Sequence, residues 1–281
     1  MTKKGHGVQR VELSRIVGSV HAIGFATYKE WLAYRSHMAV SLLVGPVYFL
    51  TQYFIWQSVY EGTGQINGFT LEQMLAYFGV ATVINYFIYD SADWNLQMLV
   101  RSGKYVTFAL RPMPHYLYAF SQKVGHRTLG LIIEFIPIFL IFMFAFGIKL
   151  VPAQPMWAVI SILLSFLMNF IVNYCVGLTA FWLVRADGVR RVFLLLKDIS
   201  AGVFIPLTFF PEWTQKLLFF LPFQFITYVP TRVFIGEYEL AGYSMSIPTI
   251  VAYQAGATLL MAILMLLLYR LAMKRFTGVG V

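Results

Sequence analysis

Six stretches of this 281-residue chain run for about a bilayer's thickness with almost no charge, and nothing else in the sequence constrains the fold as strongly. A helix crosses the hydrocarbon core with about 20 mainly apolar residues. The stretches are Met38–Tyr60, Leu71–Tyr89, Leu129–Ile148, Trp157–Val184, Val192–Phe210 and Ile247–Leu271. They are continuous rather than alternating, so the sequence predicts helices and not barrel strands. Only 12% of the residues are charged and the mean hydropathy is +0.71, against about 25% charged in soluble domains. The expected fold is an all-α membrane protein: a tail over 1–37, a six-span domain over 38–271 and a short end over 272–281. That division leaves no room for a separate ATPase or catalytic domain.

Basic residues orient the spans. With six spans placed as above, 17 Lys and Arg fall on the side of the termini, in the first segment, the Ser91–Thr128 and Arg185–Arg191 loops and the C-terminal end. Three fall opposite: Lys149, Lys216 and Arg232. Lys and Arg are retained on the cytoplasmic side, so both termini are expected in the cytoplasm and the location is a bacterial-type inner (plasma) membrane. The net charge of +9 is scattered rather than gathered in a stripe with aromatics, which argues against nucleic acid as a partner. No apolar stretch of signal length precedes the first span, so that span is read as the insertion signal.

Two segments fit neither a span nor a plain loop. Ser19–Arg35 interleaves Val20, Ile23, Phe25, Trp31 and Leu32 with charged and polar residues, a mixture expected of an interfacial helix in the headgroup plane. Pro211–Ser246 is too apolar for a soluble loop, and its longest apolar run is too short to span. Pro222 and Pro230 each remove a backbone donor. A re-entrant pair of short helices before the last span is expected there.

Motifs for chemistry are mostly missing. Arg101-Ser102-Gly103-Lys104 holds a Gly-Lys pair without the upstream glycine of a phosphate loop. There is no His-Glu-x-x-His and no Gly-x-Ser-x-Gly. A single cysteine, Cys175, forms no internal disulfide, and the five histidines lack metal-ligand spacing. No metal, no bound cofactor and no catalytic residue is expected in this chain. The charges inside apolar runs are Asp90, Asp93, Glu134, Lys197 and Asp198. An ion or proton path would use such groups near the bilayer midplane. All five lie near the cytoplasmic boundary instead, and they are read as ion pairs between span ends, with Arg127, Arg190 and Arg191 as partners.

Two further stretches carry a family resemblance. One is Ser102-Gly103-Lys104-Tyr105-Val106-Thr107-Phe108-Ala109-Leu110-Arg111-Pro112. The other is Pro206-Leu207-Thr208-Phe209-Phe210-Pro211-Glu212-Trp213-Thr214-Gln215, followed by Leu221-Pro222-Phe223 and Gly236. In this order, and on six spans, they resemble the ABC-2 type permeases, the membrane subunits of type V ABC exporters. Within that family they resemble the short form encoded as two different permeases beside one ATPase. Lys104 departs from the uncharged or acidic mix of many relatives, so ATPase contacts do not transfer in detail.

The resemblance implies a permease that is no enzyme on its own, working with two ABC ATPase subunits that hold ATP and Mg. A second permease completes the unit, a different chain by resemblance and otherwise a copy. It implies coupling to the ATPase through Gly103, Lys104, Phe108, Leu110, Arg111 and Pro112. It also suggests an extracytoplasmic gate at Pro206, Phe209, Phe210, Pro211 and Pro222. The substrate would be apolar or amphipathic, moved out of the cytoplasm or inner leaflet through membrane lipid. An ion- or proton-coupled secondary carrier and an intramembrane lipid-modifying enzyme are the competing classes.

Overall fold

The structure, a computed structural model, describes residues 4–33, 42–183 and 187–276, with side chains from residue 18 onward in the first stretch. The fold is mostly helical with almost no sheet. Twelve α-helices among the described residues are labelled in chain order: α1 Lys4–Ala33, α2 Val44–Val59, α3 Leu71–Ile88, α4 Ala92–Arg101, α5 Val106–Ala109, α6 His115–Gly130, α7 Ile136–Phe144, α8 Pro155–Leu178, α9 Asp187–Ser200, α10 Glu212–Phe220, α11 Tyr228–Ile235 and α12 Ile247–Arg275. Four helical stretches among the described residues are long and apolar enough to cross a membrane: Leu71–Arg101, His115–Phe144, Pro155–Phe181 and Ile247–Arg275.

The start of α3 follows directly from sequence. Thr70 accepts from the Gln73 backbone N–H at 3.3 Å, and the Gln73 side chain accepts from the Thr70 N–H at 2.9 Å. This reciprocal capping box satisfies two donors that a helix start leaves free. Pro155 and Pro248 open α8 and α12, where a missing N–H costs nothing.

The third span departs from expectation. The sequence predicts it from Leu129, whereas the helix begins at His115, passes through a π-helical turn at Leu131–Phe135 and continues as α7. Lys123 and Arg127 read as loop residues because they are charged. They are buried, and each has a partner across the bundle: Lys123 donates to the Phe166 carbonyl at 2.8 Å and Arg127 to the Tyr86 carbonyl at 2.8 Å. Charges satisfied this way do not end a helix.

The fifth expected span, Val192–Phe210, is not one helix. α9 has 14 residues and stops at Ser200, about 21 Å of helix against the roughly 30 Å of a hydrocarbon core. Gly202 then takes φ +78°, a left-handed conformation that favours glycine, and Pro206 supplies no N–H. A 3-10 turn at Leu207–Phe209 leads to Pro211 and α10. The first expected span begins within residues outside those described; α2 is its described part. The fourth reaches Phe181 through a 3-10 turn, and its last expected residue, Val184, also lies outside the described residues.

Between α9 and α12 the chain forms two short helices, α10 and α11, separated by a 3-10 turn at Pro222–Phe225. A two-stranded hairpin not foreseen from sequence follows. Its strands β1 Tyr238–Leu240 and β2 Tyr243–Met245 pair antiparallel, with Tyr238 opposite Met245. Its two loop residues, Ala241 at φ +55° and Gly242 at φ +78°, both have the positive φ that suits the twist of a tight hairpin.

α1 lies along α6. A Cβ on Gly125 would stand 2.1 Å from the Gly24 carbonyl oxygen, so the contact exists only because residue 125 has none. Small residues are what let helices approach this closely in lipid. Buried aromatic and aliphatic side chains, among them Phe49, Tyr77, Phe78, Phe142 and Tyr228, fill the space between α2, α3, α7, α8 and α11. A second cluster, including Leu96, Tyr105 and Tyr174, joins α4, α8 and α12.

Candidate functional site

The α3 helix ends where Tyr89 turns to extended backbone (φ −47°, ψ 141°), and α4 restarts at Ala92. Asp90 Oδ1 accepts from the Ala92 N–H at 3.1 Å and stabilises that restart. The break turns Asp90 and Asp93 into the bundle; Asp93 is 2% exposed. Arg190 of α9 donates to Asp93 Oδ2. Lys123 Nζ of α6 stands 3.9 Å from Asp90 Oδ2.

Glu134 sits in the π-helical turn. Such turns carry one more residue than an α-turn and re-aim the side chains on them. Here Glu134 Oε2 accepts from Arg127 Nη1 at 3.1 Å. Lys197 is the buried residue of α9, and its ammonium reaches Asn173 Oδ1 at 3.3 Å, Asn169 Oδ1 at 3.4 Å and Asp198 Oδ1 at 3.4 Å. Asn169 in turn donates to the Ile88 carbonyl at 2.8 Å, capping the end of α3.

These groups share one cavity of about 670 Å³. Asp90, Asp93, Glu134, Lys197 and Asp198, picked from three separate apolar runs, all line it, together with Arg127 and Arg190. Arg191, the other expected pairing partner, is exposed. Asn169 and Asn173 also line the cavity and were not singled out from sequence. A signal was available, because Ser161, Ser165, Asn169 and Asn173 recur every fourth residue through an apolar run, which is one face of a helix. All four are buried, and Ser161 bonds Gln254 of α12 at 2.7 Å while Ser165 donates to the Ile226 carbonyl.

The segment expected to couple to an ATPase is held rather than free. Gly103 has φ +69°, and just beyond it Tyr105 is 1% exposed. The Tyr105 hydroxyl lies 3.4 Å from Met273 Sδ of α12, and its ring packs edge-on to Phe181 and Phe276. Burial pushes its phenol pKa up. Phe108 is half-buried: Tyr118 and His115 lie against its ring at 4.9 Å, and the Arg111 guanidinium covers it at 4.3 Å. Leu110 is 85% exposed, and Lys104 and Pro112 are exposed beside it.

At the opposite end, Phe209 packs against Trp56 at 5.5 Å and Phe69 at 5.7 Å within this one chain. Pro206 is buried, Phe210 and Pro222 are half-buried, and Pro211 is exposed. Gln215 ties the segment down by donating to the Phe210 carbonyl at 2.7 Å and accepting from the Ala241 N–H at 3.0 Å. Among the described residues no group of three or more His, Cys, Asp or Glu is placed to hold a metal ion.

Four helices long and apolar enough to cross a membrane, packed around a charged cavity, define a multi-pass membrane protein. Residues 47–280 match the family model described as ABC-2 family transporter protein, and the chain belongs to that family. The match starts within α2 and leaves α1 outside. Neither a curated protein nor a solved structure matches the chain.

Proposed function

We propose that this chain is the transmembrane permease subunit of an ATP-driven exporter whose ATPase is a separate chain. It carries an apolar or amphipathic substrate out of the cytoplasm or the inner leaflet of a bacterial-type inner membrane. Six crossings are assigned, with α2 in the first and α9 plus 201–210 in the fifth. Both termini, the charged cavity and the 103–112 segment then lie on the cytoplasmic side, in keeping with the basic-residue asymmetry. Short helices between α9 and α12 dip into the outer leaflet. Two ATPases and a second permease, a different chain or a copy, complete the unit. The path runs between the permeases beside the second and fifth spans. Phe209 and Phe210 are both half-buried against the core, and either ring can supply an apolar plug at the outer end.

One observation carries the coupling: a segment anchored by buried Tyr105 presents Leu110, 85% exposed, at its tip. A large apolar group held out by a fixed backbone is what a pocket on a soluble partner can receive. Leu110→Asp should reduce co-purification of the ATPase by more than about tenfold, the loss expected of a central interface anchor, at unchanged permease level in the membrane. Association that survives Leu110→Asp combined with Arg111→Glu would place docking elsewhere. The charged cavity is the feature that favours an ion-coupled carrier instead; a chain that purifies without any nucleotide-binding partner would support that reading.

A further inference from the structure

One wall of the charged cavity is attached differently from the others. α9 contributes Arg190, Leu194, Lys197 and Asp198 to the lining. Asp187, Arg190, Leu194 and Lys197 recur at the spacing of one helix face. Val189, Val192 and Leu196 form the opposite face, and each is more than half exposed. The helix therefore turns its polar side to the bundle and its apolar side outward. Its buried residue is Lys197, and its packing on the apolar core comes from half-buried Phe193, set against Phe223 at 5.8 Å.

Polar contacts hold the rest of α9, and they are easily released. Arg101 of α4 donates to Asp187 at 2.6 Å, with both side chains more than one-third exposed. Arg190 donates to Asp93, and its guanidinium lies 5.1 Å over the Trp94 ring, both partners again on α4. Lys197 reaches Asn173 and Asn169 of α8 at 3.3 and 3.4 Å, long for a hydrogen bond. An exposed ion pair contributes little stability, and elements with few buried apolar contacts are the first to open.

The C-terminal end of α9 is anchored instead. The carbonyls of Ala201, Gly202 and Val203 accept from the Tyr228 N–H at 2.9 Å, the Tyr77 hydroxyl at 2.7 Å and the Tyr48 hydroxyl at 2.9 Å. These donors stand on α11, α3 and α2. Gly202 lies in the left-handed region, and a Cβ there would stand 2.8 Å from the Tyr77 hydroxyl oxygen. A glycine at a helix end is a place where the chain can absorb a rotation. Asp187 lies about 20 Å along the helix from Ser200, so a rotation at 201–203 moves the end at Asp187 farthest.

We infer that α9 is a hinged lid on the cavity, clasped shut by Asp187 on Arg101 and Arg190 on Asp93 and pivoting at 201–203. Releasing the clasp swings the lining face of α9 off the bundle and opens the cavity between α9 and α4. Both clasp partners belong to α4, the helix that leads into the 103–112 segment, so a force on that segment reaches the clasp through one short helix. The lid rests on contacts within this chain and stands whether or not an ATPase docks at Leu110.

Thiol labelling inside the cavity tests the lid, with Thr82→Cys in a Cys175→Ser background as the reporter. Thr82 lines the cavity, is 6% exposed and bonds its own helix at the Phe78 carbonyl. The full chain in detergent is treated with a small cationic methanethiosulfonate, and the labelling rate is followed. Asp187→Lys and Arg101→Glu each set like charges against each other at the clasp. Each should speed labelling by about fivefold, the change in an opening equilibrium expected when one exposed ion pair is lost. Asp187→Asn, which removes the charge and keeps the shape, should give an intermediate rate. The swap of Arg101→Glu with Asp187→Lys should return the rate close to the parent's, an outcome that general loosening of the fold does not produce. Labelling at the parent rate in all three single variants, or a swap that stays as fast as the reversals, would overturn the lid.

Discussion

At one end of the α2–α3 hairpin, Asp90 and Asp93 meet Lys123, Arg127, Arg190 and Lys197; at the other, Trp56 and Phe69 meet Phe209. Both ends are largely buried, but they are held by different physics. The charged end depends on direction and partner, because its ions are held by particular groups: Asp93 by Arg190, Glu134 by Arg127 and Lys197 by Asn169, Asn173 and Asp198. The aromatic end depends on volume, since rings 5–6 Å apart lose little when a neighbour shifts slightly. The difference predicts how each end fails when altered.

The charged end should fail hardest. Glu134→Ala leaves Arg127 buried without its carboxylate, which is expected to cost about 3–5 kcal/mol. Thermal unfolding in detergent should show this as a large fall in melting temperature. Arg127→Met with Glu134→Leu should recover most of the loss, because a buried pair can be replaced by apolar groups of similar size. A single variant as stable as the parent would mean that water reaches the pair, and the comparison would break.

At the aromatic end the effect should be smaller and graded by size. Phe209 is only partly buried, so Phe209→Ala should cost about 2 kcal/mol, less than the roughly 3–5 of a fully buried phenylalanine. Phe209→Leu should cost under about 1.5 kcal/mol. Equal losses for the two would show that the ring's shape, and not its bulk, is what this end needs. Increased basal ATP hydrolysis with unchanged stability would return Phe209 to the role of a gate.

The same contrast governs what could be read in advance. Apolar runs are legible because a bilayer dictates their length, and the four long spans followed from that rule. Lys123 and Arg127 misled because a local reading treats charge as a loop signal, while their partners Phe166, Tyr86 and Glu134 are distant or hidden by the π-helical turn. The end of α9 turns on Gly202 and Pro206, whose effect an average over an apolar window conceals. The five intramembrane charges were recognised as pairing groups, but their convergence on one cavity depends on helix packing. Asn169 and Asn173 were readable from their four-residue spacing. Whether Phe209 faces a pore or its own core depends on Trp56 and Phe69, more than 100 positions away.

The central claim is that a separate ATPase drives this chain through the segment that ends in Leu110, at the same end as the charged cavity. Site-directed crosslinking in a Cys175→Ser background tests it most directly, with Leu110→Cys compared against Leu217→Cys, an exposed position on α10. The account predicts a crosslink from position 110 to a nucleotide-binding subunit in native membranes and none from position 217. A crosslink to that subunit from position 217, or from neither position in an assembled complex, would contradict it.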